Sequence, residues 1–271
     1  MTLNEKLEAA LASRERRKIR RRLPSPTRTD GVRPTSDAAN KEPLVDFVSN
    51  DYLSLTSYSP LRELFLNKLK NEPNILGSGG SRLLVNGSAH HAFEERLRSF
   101  FNVPAALLFN SGFDANVGLF TCLPQEGDIV VYDEYIHASV HDGIRASRAR
   151  NSSFPFKHNS ASSLRELFSS LLQESQHLKS GQVSLFVAVE SLYSMDGTFA
   201  PLREIVELLD VFFPSGNGHL IVDEAHATGL YGPNGRGLVA HWELEGKVLV
   251  RLHTFGKALA SNGGVYMRPG P

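Results

Sequence analysis

Four stretches of the chain place reactive side chains directly after apolar, strand-like runs. In Ile221-Val222-Asp223-Glu224-Ala225-His226 such a run ends in two carboxylates, with a histidine three residues after the first. After Val248–Leu252 come His253-Thr254-Phe255-Gly256-Lys257, so a lysine leaves another strand end. Phe109-Asn110-Ser111-Gly112-Phe113 passes through Ser-Gly into a helix-like segment, where free backbone N–H groups make an anion site. A further run, Val131-Tyr132-Asp133, is followed shortly by the imidazole of His137.

Each feature also has a plain structural reading. A lysine after a strand is commonly a solvated end, Ser111 is commonly the N-cap of a helix, and His137 could cap or pack as readily as stack on a flat ring. Asp-Glu-Ala-His also matches the magnesium-holding element of helicases. That chemistry needs a G-x-x-x-x-G-K-[ST] phosphate loop, and neither Gly246-Lys247 nor Gly256-Lys257 has the upstream glycine or the following hydroxyl. Taken together, a lysine able to form an imine and an acid one strand away are the pair that pyridoxal phosphate (PLP) requires. The acid keeps the pyridine nitrogen protonated so that the ring withdraws electrons.

The elements that must position these groups alternate. Strand-like 105–109, 129–132, 183–189, 220–222 and 248–252 sit among helix-like 60–71, 88–101, 113–122, 137–147, 162–178 and 202–212, with 264–267 as a last strand. That rhythm predicts an α/β fold with a mostly parallel sheet covered by helices on both faces. In such sheets ligands collect at the carboxyl ends of the strands, where these residues fall. Leu3, Leu7, Ala10 and Leu11 predict an N-terminal helix, and the Pro/Ser/Thr-rich 24–43 an exposed arm, so the globular part is expected over 44–271.

Lys plus Arg equals Asp plus Glu at 29 each, so no net field favours nucleic acid or an anionic membrane. The single cysteine, Cys122, excludes an internal disulfide and is expected to be a small buried hydrophobe. No apolar run approaches the ~18 residues of a membrane span. The expected location is the cytoplasm, and no metal site is expected.

In order and spacing the motifs resemble those of the α-oxoamine synthases, a branch of the fold-type I PLP enzymes. The match runs from Ser49-Asn50-Asp51-Tyr52-Leu53 through Gly77-Ser78-Gly79-Gly80-Ser81-Arg82, Ser111-Gly112-Phe113, His137-Ala138-Ser139, Ser194-Met195-Asp196-Gly197, Asp223-Glu224-Ala225-His226 and Gly235-Arg236-Gly237 to Thr254-Phe255-Gly256-Lys257. The resemblance implies that Lys257 carries the cofactor as a Schiff base, that His137 stacks on its ring, that Asp223 pairs with its nitrogen and that His226 contacts its phenolic oxygen. Ser111, Gly112, Phe113 and Thr254 would hold the phosphate, and Ser194 would touch the cofactor. Lys257, His137 and Asp223 form the implied catalytic set, while Asn50 would face the substrate and Arg20 an acyl carboxylate.

Asn86-Gly87-Ser88, where other branches carry Gly-Thr, places the resemblance nearest the branch that condenses L-alanine with pimeloyl-CoA on the way to biotin. The reaction so implied is decarboxylative: Lys257 removes the Cα proton, the carbanion attacks the thioester, the thiol leaves and CO₂ is lost. The family works as homodimers and adds a smaller C-terminal domain, so these 271 residues are expected to form the large domain without it. A truncated, non-catalytic PLP-binding protein, an aminotransferase and a synthase using another acyl-CoA are the alternative readings.

Overall fold

The computed structural model describes residues 1–22, 46–73, 75–77 and 79–268. It divides into two compact units, Met1–Ser49 and Asn50–Pro271. In the first, α1 (Leu3–Arg16) starts with a capping box in which the Thr2 side chain accepts from the Glu5 N–H and the Glu5 carboxylate from the Thr2 N–H. Arg14 and Arg16 in its last turn suit the negative end of the helix. The expected stripe is present as a helix, but Leu3, Leu7 and Leu11 are exposed. The expected arm, 24–43, lies outside the described residues.

The second unit runs α2 (Ser59–Asn71), α3 (Ser88–Phe101), β1 (Ala105–Phe109), α4 (Gly112–Cys122), β2 (Ile129–Asp133), α5 (Ala138–Ala146), β3 (Ser153–Phe156), α6 (Ala161–Glu174), α7 (Gln176–Lys179), β4 (Leu185–Glu190), α8 (Leu202–Phe212), β5 (Gly218–Asp223), α9 (Leu238–His241), β6 (Val248–Thr254) and β7 (Gly264–Arg268). The sheet order is β1-β7-β6-β5-β4-β2-β3. β3, β2, β4, β5 and β6 pair in parallel, whereas β7 is antiparallel to both β6 and β1. The short link from Thr254 to Gly264 forces this reversal, because a parallel return needs about a dozen residues or more.

Strand alternation sorts the core into two layers. Val187, Val189, Leu220 and Val222 pack with α6 and α8, while Phe186, Ala188, Ile221, Val250 and Leu252 pack with α4 and α5. Each fully buried side chain of this kind contributes about 1.5–3 kcal/mol. The same period of two carries Glu190 and Asp223, the last residues of β4 and β5, onto the α4–α5 face.

Three expectations are corrected. Residues 153–156 form an unforeseen strand at the sheet edge, the position that tolerates Pro155. The long helix 162–178 breaks at Ser175, whose hydroxyl caps α7 by accepting from the Leu178 N–H. Cys122 ends α4 and is exposed, on the side of the helix away from the buried Phe120 and Asn116. Among the described residues no helix is long and apolar enough to cross a membrane.

Candidate active site

The carboxyl ends of β4, β5 and β6 and the start of α4 surround a cleft of about 250 Å³. Eight of the expected residues line it: Asn50, Ser111, Gly112, Phe113, His137, Asp223, Thr254 and Lys257. They arrive from both ends of the unit, and Asn116 and Glu190 complete the polar wall.

Asp223 is 7% exposed and held from two directions. Its Oδ1 accepts from the Ala225 N–H at 2.9 Å and its Oδ2 from Asn116 Nδ2 at 2.8 Å. Asn116, 2% exposed on α4, also donates to Ser139 Oγ at 3.0 Å and accepts from the Tyr266 hydroxyl at 3.0 Å. One amide thus ties β5, α5 and β7 around the carboxylate. His137 is the N-cap of α5, its Nδ1 accepting from the Ser139 N–H at 3.2 Å with the Ser139 hydroxyl at 2.7 Å. Its other nitrogen therefore carries the proton, and burial lowers the imidazole pKa, so the ring is neutral near pH 7.

Lys257 follows β6 in a turn. Desolvation lowers its pKa, against the opposing pull of Asp223 and Glu190. A depressed amine pKa raises the fraction of nucleophilic base, as imine formation requires. Glu190, only 4% exposed, lies in register with Asp223 on the neighbouring strand. Burial and then the neighbouring Asp223 push its carboxyl up to about 8, so it holds a proton at neutral pH.

The third wall is the first turn of α4. Ser111 is the N-cap, accepting from the Asp114 N–H at 3.0 Å, so the plain reading of Ser-Gly is also correct. The N–H groups of Gly112 and Phe113 have no acceptor within the helix. Gly264 lets β7 come close to this turn: a Cβ there would sit 2.8 Å from the Gly112 nitrogen. A Cβ on Gly112 would meet Thr254 at 3.3 Å, which keeps the Thr254 hydroxyl beside the helix start.

His226 is part-buried after β5, its Nδ1 2.9 Å from the Tyr52 hydroxyl. Burial, then Lys257 and His137, bring its pKa down to about 4. Ser194, like His226, is an expected residue that does not line the cleft wall; it is exposed in the turn after β4. That turn is tethered elsewhere, through Thr198 and Asp196 to His158 at 2.8 and 3.2 Å, and His158 binds Asp133 at 2.8 Å. Arg20 belongs to the N-terminal unit, where it pairs with Glu15 at 3.3 Å. Asn116, Glu190, Tyr52 and Tyr266 were missed by sequence reasoning; a buried amide one turn after Gly112 and an acid ending the apolar run 185–190 were the available signals.

The family model for aminotransferase class I and II matches residues 42–267. The chain belongs to that family. Within it, the chain is 46% identical over 268 residues to 8-amino-7-oxononanoate synthase from Emericella nidulans, covering 98% of this chain and 61% of that protein. The chain thus spans about three-fifths of the length of this curated relative. Its fold is similar to serine palmitoyltransferase from Sphingomonas wittichii, with a TM-score of 0.80 and 28% identity over all of this chain and 65% of that one. A solved structure of SPT with PLP is similar at a TM-score of 0.77 and 26% identity, again over 100% and 65% of the two chains. These relatives agree with the resemblance carried by the motifs.

Proposed function

We propose that residues 44–271 hold pyridoxal phosphate with Lys257 as covalent anchor, and that the protein is a PLP-dependent acyltransferase condensing L-alanine with pimeloyl-CoA to 8-amino-7-oxononanoate, with loss of CO₂. The observation that supports this best is the convergence of a desolvated lysine, a rigidly held carboxylate and a helix N-terminus on one cleft. The donor set fits the cofactor: an amine for its aldehyde, an anion for its ring nitrogen, and N–H groups with the Thr254 hydroxyl for its phosphate. Bound there, PLP supplies an electron-poor ring that stabilises negative charge at the amino acid Cα.

The chain's own groups do the rest. Asp223, fixed by Asn116 and the Ala225 N–H, would supply the anion for the ring nitrogen. Glu190 keeps its proton and so leaves that charge undivided. The Lys257 amine, with its pKa lowered by desolvation, would be the base that takes the Cα proton. His137 offers a flat neutral face and a proton on the nitrogen that does not face Ser139. Asn50 faces the substrate side of the cleft, and Arg20 is the proposed contact for the distal carboxylate of the acyl chain. Ser194 and His226 are further proposed cofactor contacts. The working unit is a cytoplasmic homodimer.

The test is purified protein with PLP, L-alanine and pimeloyl-CoA, following free thiol and CO₂. Equal release of both supports the condensation. Likeness to serine palmitoyltransferase supplies the second arm: thiol release with L-serine and palmitoyl-CoA but not with the first pair transfers the assignment to a longer-chain acyl donor. Pyridoxamine phosphate formed without thiol release assigns an aminotransferase instead.

A further inference from the structure

Asn50 and Tyr52 reach the end of β5 across a long stretch of sequence. The Tyr52 hydroxyl donates to Asn50 Oδ1 at 3.0 Å and lies 2.9 Å from His226 Nδ1, 174 residues away. Its two rings are 6.2 Å apart at 49°, so the contact is made by the hydroxyl rather than by stacking. A phenol has one proton to give and lone pairs to receive. With that proton committed to Asn50, the oxygen can only accept from His226, and Nδ1 must carry a hydrogen.

We propose that Tyr52 is a positioning residue that fixes the tautomer of His226, protonated at Nδ1 and bare at Nε2, and couples it to the substrate-facing Asn50. The proposal rests on the PLP reading only for its consequence: among the described residues Nε2 bonds to nothing, and, being bare, it could meet the cofactor only by accepting a hydrogen bond from its phenolic hydroxyl. Two supporting facts follow from burial. His226 is neutral above about pH 5, since its pKa is brought down to about 4, so a tautomer is defined across the working range. Desolvation raises the Tyr52 pKa, so its hydroxyl stays protonated and the relay keeps its direction. Three side chains then form one chain of hydrogen bonds, Nδ1–H to Tyr52 to Asn50, and a substrate group that engages Asn50 is felt at His226.

The tautomer is read without cofactor or substrate, from the imidazole nitrogen shifts and two-bond couplings of ¹⁵N-histidine-labelled chain at pH 7, with His226→Gln to assign the signals. Nδ1–H in wild type, moving to Nε2–H in Tyr52→Phe, is the expected pattern. Nε2–H in wild type overturns the proposal by itself, whether or not the variant folds, and an unchanged tautomer in the variant overturns Tyr52 as its cause. A second readout uses PLP titration by absorbance: Tyr52→Phe is expected to weaken binding about 3- to 10-fold, the scale of one neutral hydrogen bond, while leaving the imine band in place. Loss of that band in Lys257→Ala tests the cofactor reading separately, so failure of either claim is seen without the other.

Discussion

Asn116 is the residue whose removal reports most on how the site is built. Its side chain makes three buried hydrogen bonds: to Asp223 at 2.8 Å, to Ser139 at 3.0 Å and from Tyr266 at 3.0 Å. Two neutral bonds are worth about 1 kcal/mol each and one to a carboxylate about 1.5–3 kcal/mol, so Asn116→Ala removes up to about 3.5–5 kcal/mol. Relaxation and entering water recover part of this, leaving an expected loss of about 3 kcal/mol. Tyr266→Phe breaks only one of the three bonds and is expected to cost about 1 kcal/mol. Urea denaturation of the apo chain, read by far-UV circular dichroism, measures both. The Asn116 variant should also bind PLP more weakly, because the Asp223 carboxylate loses the donor that aims it. If Asn116→Ala costs no more than Tyr266→Phe, the amide is not the hub described, and Asp223 is held by something else.

Other consequences follow from individual contacts. Gly264→Ala would press a Cβ to 2.8 Å from the Gly112 nitrogen, and overpacking of this kind costs about 1–3 kcal/mol. A lower melting temperature and weaker PLP binding should be seen together, and an unchanged melting curve would refute the close approach. Glu190 titrates near 8 when folded and near its ordinary 4.5 when unfolded. The unfolded chain therefore gives up this proton first, and the stability it contributes is lost as pH rises from about 4.5 to 8, flattening above. In Glu190→Gln that slope should disappear, which thermal melts from pH 5 to 9 would show; parallel curves for the two proteins would count against the raised carboxyl. Thr254→Val keeps the shape beside Gly112 but removes the hydroxyl and its bond to the Gly263 carbonyl at 3.1 Å, so PLP affinity should fall alongside a loss of about 1 kcal/mol in apo stability. Equal affinity would remove Thr254 from the phosphate site.

The sequence was most legible where chemistry is local. Asp223 ends an apolar run and Lys257 follows one by a few residues, and β5 and the turn after β6 do bring them to one cleft. Ser111-Gly112 was readable both as cap and as anion cradle, and the structure makes the first of these a hydrogen bond. What remained hidden depends on pairings across the fold. Asn116 reads as a polar residue in an apolar helix until its partner 107 residues away is in place, and Tyr266 waits on a contact 150 residues back. Tyr52 lies in a segment of little regular structure and acquires meaning only beside His226. The proton on Glu190 follows first from its burial and then from in-register pairing with Asp223, both properties of the assembled sheet that neither strand encodes alone. Ser194 shows the reverse: its motif was recognised, but its turn is anchored by His158 and leaves it exposed.

The central claim is that Lys257 is the covalent anchor of PLP, and one comparison tests it most directly. Wild type and Lys257→Ala are each mixed with PLP, scanned, reduced with borohydride and digested for mass spectrometry. The account predicts an imine absorbance band in wild type only, with the reduced cofactor on the peptide that contains Lys257. Identical spectra for the two proteins, or the label on a different lysine, would contradict it.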